Sequence, residues 1–250
     1  MYGGCADGEF PLAGLVQANN GDLYGTTYGG GPDACSPNPG CGTVFRIIPS
    51  GTFTTLYSFC SQSGCADGEL PLAGLVQASN GDLYGTTSQG GANGGGTVFK
   101  ITAGGALMTL YTFCSQDECF DGGSPYAALV QTTNGDLYGT TGYGGANGRG
   151  TVFKVTPSGV LRTLYSFCSQ SGCTDGGNPY AALVQATDGN FFGTTFSGGA
   201  NACPDPVGCG TVFRITPTGA LTLYSFCFQS GCTDGEFPFA GLAQATNGKL

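Results

Sequence analysis

The residues best suited to chemistry in this chain are cysteines and aspartates set at fixed intervals. Thirteen cysteines occur in 250 residues, and eight of them form four C-x4-C pairs: Cys60 and Cys65, Cys114 and Cys119, Cys168 and Cys173, Cys227 and Cys232. Two further pairs, Cys35 with Cys41 and Cys203 with Cys209, occur only where one loop is six residues longer. A pair that comes and goes with its own loop is most simply a bond within that loop. Local disulfides are therefore expected, and they require an oxidising compartment, which places the protein outside the cell or on its surface. The competing chemistry is thiolate–metal binding. Zinc sites usually set two short knuckles around one ion, and these pairs are expected a whole repeat apart.

An aspartate follows each second cysteine after one intervening residue: Asp7, Asp67, Asp121, Asp175 and Asp234, each before a glycine. Glu9, Glu69 and Glu236 follow in three of these loops. One reading is a ring of Ca²⁺ sites, with carboxylate and backbone oxygens as hard ligands. The other is an Asx-type turn, in which Asp accepts a backbone N–H and Gly takes positive φ; one or two carboxylates per loop favour the turn. Tyr28, Tyr143 and Phe196 lie in loops and are the aromatics placed to stack on a sugar. Gln17, Gln77, Gln131, Gln185 and Gln244 recur in another segment, where they either face a ligand or pair with a neighbour. The chain has no His, which removes Ser-His and Cys-His catalysis and every His-ligated metal site. No cofactor other than Ca²⁺ is suggested.

These residues are positioned by a tandem repeat. Tyr-Gly-Thr-Thr starts at Tyr24, Tyr84 and Tyr138 and returns as Phe-Gly-Thr-Thr at Phe192, while Gly-Thr-Val-Phe starts at Gly42, Gly96, Gly150 and Gly210. The unit is 54 residues, and the first and fourth units carry the six-residue insertion between the two markers. Repeats are assigned to residues 9–59, 69–113, 123–167 and 177–226, with a partial fifth at 236–250. Each holds four strand signals. The first spans Leu72–Ala78, Asn80-Gly81 marks a hairpin, and the second strand is Asp82–Thr87. A glycine-rich loop leads to Thr97–Ile101, rich in β-branched and aromatic residues. Turns of the Pro157-Ser158-Gly159 type return the chain into strands such as Leu164–Phe167. No window has a convincing helical period.

Four antiparallel strands recurring about every 54 residues predict an all-β protein, a β-propeller of four-stranded blades, here an incomplete arc. A β-solenoid is the alternative, although its coils are usually shorter. In a propeller, strands alternate in direction, so the loop entering the first strand and the loop joining the second to the third share one face. Both cysteine-bearing loops fall there, and loops of varying length on a fixed frame are where binding usually resides. The partner expected for Cys5 would precede Met1, and the fifth repeat stops at Leu250. Both suggest part of a longer exported protein whose signal peptide and anchor lie outside this sequence.

Seven basic and 16 acidic residues give a net charge of −9, which excludes a nucleic-acid binder working through a basic face. No stretch of 18 apolar residues is available to span a membrane. The succession Leu-Val-Gln-Ala, Asn-Gly-Asp-Leu-Tyr-Gly-Thr-Thr, Gly-Thr-Val-Phe-Lys-Ile-Thr and Leu-Tyr-Ser-Phe resembles the GloVer tandem-repeat family of bacterial choice-of-anchor proteins. That resemblance implies export, in some members with a surface tether, and no defined activity. The near-identity of the repeats points to a non-catalytic binding or surface-scaffold protein, with a polysaccharide or cell-surface component as partner. The alternative is a metal-assisted lyase or hydrolase with its site at the propeller centre.

Overall fold

In a computed structural model, which describes residues 5–32, 40–201, 203 and 208–245, each repeat folds into one four-stranded antiparallel sheet. The first blade comprises β1 (Val16–Gln17), β2 (Leu23–Thr27), β3 (Thr43–Ile47) and β4 (Phe53–Ser58). The second comprises β5 (Val76–Gln77), β6 (Leu83–Thr87), β7 (Thr97–Ile101) and β8 (Leu107–Thr112). The third comprises β9 (Val130–Gln131), β10 (Leu137–Thr141), β11 (Thr151–Val155) and β12 (Leu161–Ser166). The fourth comprises β13 (Val184–Gln185), β14 (Phe191–Thr195), β15 (Thr211–Ile215) and β16 (Leu221–Ser225). The only helical segments among the described residues are single 3₁₀ turns such as Ser63–Cys65. Strands paired in chain order within separate sheets are blades rather than solenoid coils.

The first strand of each blade is shorter than expected. Only Val76–Gln77 of the Leu72–Ala78 segment joins its sheet, because the preceding residues are engaged by the neighbouring blade. Thr26 Oγ1 donates to the Ala73 carbonyl at 2.9 Å, and Thr86, Thr140 and Thr194 repeat the bond to Ala127, Ala181 and Ala240. The alanines are small because two blades meet there. Ala240 shows that the partial fifth repeat docks as the opening of another blade. Among the described residues, every inter-blade hydrogen bond joins consecutive repeats.

The core lies between blades. Phe59 packs edge-on against Phe99 of the second blade with ring centroids 5.1 Å apart, and Phe113–Phe153 and Phe167–Phe213 repeat the contact. All six rings are buried. Gly85 pairs with Phe99 across the β6–β7 ladder, and a Cβ there would sit 2.5 Å from the Phe99 ring. The strand glycine thus makes room for the aromatic ring across the ladder. At the hairpin, Gly81 donates to the Ala78 carbonyl at 2.9 Å with φ +88°. This is a three-residue loop closed by a left-handed glycine.

Candidate functional site

Both loop types do reach one face, and they pair with each other there. Isolated bridges join Glu9 to Gly29, Glu69 to Gln89, Gly123 to Tyr143 and Gly177 to Ser197. Disulfides close the C-x4-C loops at Cys60–Cys65, Cys114–Cys119, Cys168–Cys173 and Cys227–Cys232, and the insertion loop at Cys203–Cys209. The expected Cys35–Cys41 bond falls on Cys35, which lies outside the described residues. Cys5 is exposed and forms no disulfide.

The recurrent aspartates turn inward. Asp67 is fully buried and accepts from Tyr57 Oη at 2.8 Å, from the Ser61 N–H and hydroxyl at 3.0 Å each, and from the Gln62 N–H at 3.3 Å. Asp121 repeats this with Tyr111, Ser115 and Gln116, and Asp175 with Tyr165, Ser169 and Gln170. Burial alone would raise the Asp175 carboxyl, but the bonds from Ser169, Tyr165 and Gln170 outweigh it and hold the group below its ordinary value. Burial, with Asp121 adding to it, pushes Tyr111 up to about 12. Asp234 keeps Tyr224 and two backbone donors in a more open setting, and Asp7 is exposed. This is the geometry of a turn-closing carboxylate, with each group facing its own loop. Both cysteines of each C-x4-C pair have positive φ, for example Cys114 at 58° and Cys119 at 56°. Such strain persists where surroundings over-determine it, here through disulfide and carboxylate together.

The expected glutamine role resolves into pairing. Gln77 Oε1 accepts the Asn19 N–H of the preceding blade at 2.9 Å, and Gln131 Oε1 accepts that of Ser79 at 3.3 Å. Both clamp hairpins remote from the cysteine loops.

An unforeseen feature occupies the axis on the cysteine face. A cavity of about 550 Å³ is lined by Leu12, Leu72, Tyr126, Tyr143, Tyr180 and Phe239. Five of these hold one repeat position, the residue following Pro11, Pro71, Pro125, Pro179 and Pro238. The bulky residue inside each Pro-x-Ala is the signal the sequence offers for this cavity. Tyr143, singled out from sequence, lines the cavity and is half-exposed. Phe196 stands behind Tyr180 at 5.6 Å and is part of the same aromatic cluster. Tyr28 lies near enough to Tyr126 to disfavour its ionisation, although burial is the main cause of that upward shift. Tyr180 donates to Tyr143 Oη at 3.4 Å, and burial together with that neighbour raises its hydroxyl strongly. The lining carries no formal charge near neutral pH.

Four-stranded blades around an axial funnel define a β-propeller. The chain belongs to the Gloeobacter/Verrucomicrobia repeat family, whose profile matches residues 2–120 and 38–250. Among curated proteins, none matches it. It is similar in fold to virginiamycin B lyase from Staphylococcus aureus, with TM-score 0.55 and 15% identity over 87% of this chain and 56% of that one. A glucose dehydrogenase gives TM-score 0.54 and 12% identity over 96% of this chain and 77% of its own. The chain spans about half the length of the lyase, and likeness at this identity shows the fold alone. No helix among the described residues is long and apolar enough to cross a membrane.

Proposed function

We propose that the protein is a non-catalytic binding module working outside the cell or on its surface, with its ligand seated in the axial funnel on the cysteine face. The observation that carries this reading is the uncharged lining of Leu12, Leu72, Tyr126, Tyr143, Tyr180 and Phe239. Aromatic faces with hydroxyl tips suit a neutral ligand that offers both an apolar face and hydrogen-bonding groups, as a pyranose ring of a polysaccharide does. A lyase or hydrolase would need groups able to move protons or hold a metal; the lining holds no carboxylate or thiol, and Asp67, Asp121 and Asp175 are spent on closing their own loops. The disulfides support an oxidising location.

Calorimetric titration with neutral oligosaccharides tests the proposal. Binding without turnover is expected, weakened roughly two- to twelvefold by Tyr143→Ala, since one aromatic stacking contact is worth roughly 0.5–1.5 kcal/mol beyond its buried area. Binding that is unchanged in Tyr143→Ala and Tyr180→Ala, or metal-dependent bond cleavage, would overturn it.

A further inference from the structure

The fourth blade places two disulfides against each other. The sequence separates C-x4-C pairs by a repeat, but Ala200 and Asn201, which follow β14, are held against the segment leaving β16. Ala200 N–H donates to Ser225 Oγ, and Asn201 Nδ2 donates to the carbonyls of Ser225 and Phe226, all at 2.9 Å. That stitching sets the Sγ atoms of Cys203, Cys209 and Cys227 within 4.8 Å of one another, with Cys203 and Cys227 3.8 Å apart. Cys227 is already bonded to Cys232. Cys209 is buried, whereas Cys203, Cys227 and Cys232 are partly exposed.

One repeat position creates the juxtaposition. Cys209 aligns with Arg149 of the third blade and Gly95 of the second, neither of which offers sulfur. In the first blade the same position is Cys41, and it too lies beside the first cysteine of the adjoining pair, Cys60, with Glu69. The arrangement recurs wherever the insertion does. A loop staple alone would not require a second disulfide in contact with it.

We propose that Cys203, Cys209, Cys227 and Cys232 form a thiol–disulfide exchange site whose substrate is a dithiol. Exchange proceeds by thiolate attack on a disulfide sulfur, and a sulfur held nearby competes strongly with those in solution. A thiolate of the dithiol attacks partly exposed Cys232, and Cys227 leaves as a thiolate. Cys227 then attacks Cys203, forming the Cys203–Cys227 bond and releasing Cys209 as a thiolate. The second thiol of the dithiol attacks its own mixed disulfide, closes a cyclic disulfide and releases Cys232. The dithiol thereby loses two electrons and two protons. The protein gains thiols at Cys209 and Cys232 and keeps one bond, which now ties the insertion loop to the end of β16.

The test treats the full chain with one equivalent of dithiothreitol, traps thiols with N-ethylmaleimide and maps bonds by mass spectrometry of the digest. A Cys203–Cys227 cross-linked peptide is expected, with Cys209 and Cys232 alkylated. The Cys114–Cys119 and Cys168–Cys173 bonds serve as internal controls and should open without forming any new pair. In Cys209→Ser, trapping is expected at Cys232 as well as at Cys203. Opening of the native bonds with no Cys203–Cys227 product would overturn the proposal, as would trapping confined to Cys203 in the variant. Should that variant fail to fold, the limiting-reduction map of the unmodified chain decides alone.

Discussion

The third and fourth blades are built from one repeat, and three of their differences bear on the cysteine loop. In the third, Ser169 gives Asp175 both an N–H and a hydroxyl, and the carboxylate is fully buried. In the fourth, Phe228 stands at the serine position and offers only its N–H to Asp234. The β11–β12 ladder has a bulge between Val152 and Phe153, as the first two blades do at the matching place, whereas β15–β16 pairs without one. The fourth blade adds a second disulfide beside the first. A repeat can therefore lose a hydrogen bond, a bulge and a buried setting at the same loop and keep its sheet. Sheet register and loop closure are separable in this fold. What the inner blades share is stability stored in the loop; what the fourth displays is sulfur chemistry.

The largest effects should come from the inter-blade core that both blades need. Phe153→Ala removes a fully buried ring from the second-to-third interface, and a loss of about 3–5 kcal/mol is expected from such truncations. Urea unfolding of the full chain reads it, and a loss below about 1 kcal/mol would show that the interface is not where stability resides. The carboxylate comes next. Asp121→Ala strands the Ser115 and Gln116 N–H groups and removes one partner from the Tyr111 and Ser115 hydroxyls, which keep each other at 2.7 Å. About 2–4 kcal/mol should be lost, since each buried unsatisfied group costs roughly 1–3 and water will recover part. Asp234→Ala should cost clearly less. Equal losses would erase the contrast between inner and last blades. Third in size is the staple: replacing Cys168 and Cys173 by Ser should lower stability by about 2 kcal/mol through loop entropy.

The separability was legible in the spacing. Tyr111 and Tyr165 follow Val98 and Val152 by 13 residues, but Tyr224 follows Val212 by 12. One residue is missing, and it is the bulge residue. Four strands, their order and the hairpin turns were equally legible, because period-two apolar patterning and Asn-Gly signals are local. The shortened first strand was not, since Thr26 and its equivalents bond across blades and inter-blade contacts leave no short-range pattern. The inward turn of the aspartates was half-legible: Asp-Gly announces a turn, while the tyrosine ten residues upstream that completes the cage does not announce itself. The funnel was missed for the opposite reason. Leu12, Leu72, Tyr126, Tyr180 and Phe239 vary in type at one position, and a search for sameness passes over them.

Acid should sharpen the same contrast. The Asp175 carboxyl sits below its ordinary value of 3.8 in the folded state. A depressed folded value means that its contribution is complete above the unfolded value and is lost as pH falls through the folded one. Melting temperature should therefore hold steady down to about pH 4 and decline below it, and Asp175→Asn should flatten that decline. A variant that declines as steeply as the parent would show that the cage does not carry the acid sensitivity.

The smallest expected effect lies on the hairpin side, where each blade carries one ion pair. Lys154 meets Asp136 at 2.8 Å in the third blade, and Arg214 meets Asp188 at 3.0 Å in the fourth. The partners have changed places in the turn. Asn134 and Asp136 in the third blade become Asp188 and Asn190 in the fourth, so each hairpin keeps one amide bonded to one carboxylate. Removing the cation by Lys154→Met should cost about 1 kcal/mol, the upper end for a surface pair because Asp136 is buried, and less in high salt. Asn134→Asp should cost more than Lys154→Met, because it sets two carboxylates against each other where the fold has always kept one. If the two substitutions are equal by urea titration at low and high salt, the exchange of partners between the third and fourth blades has no electrostatic meaning.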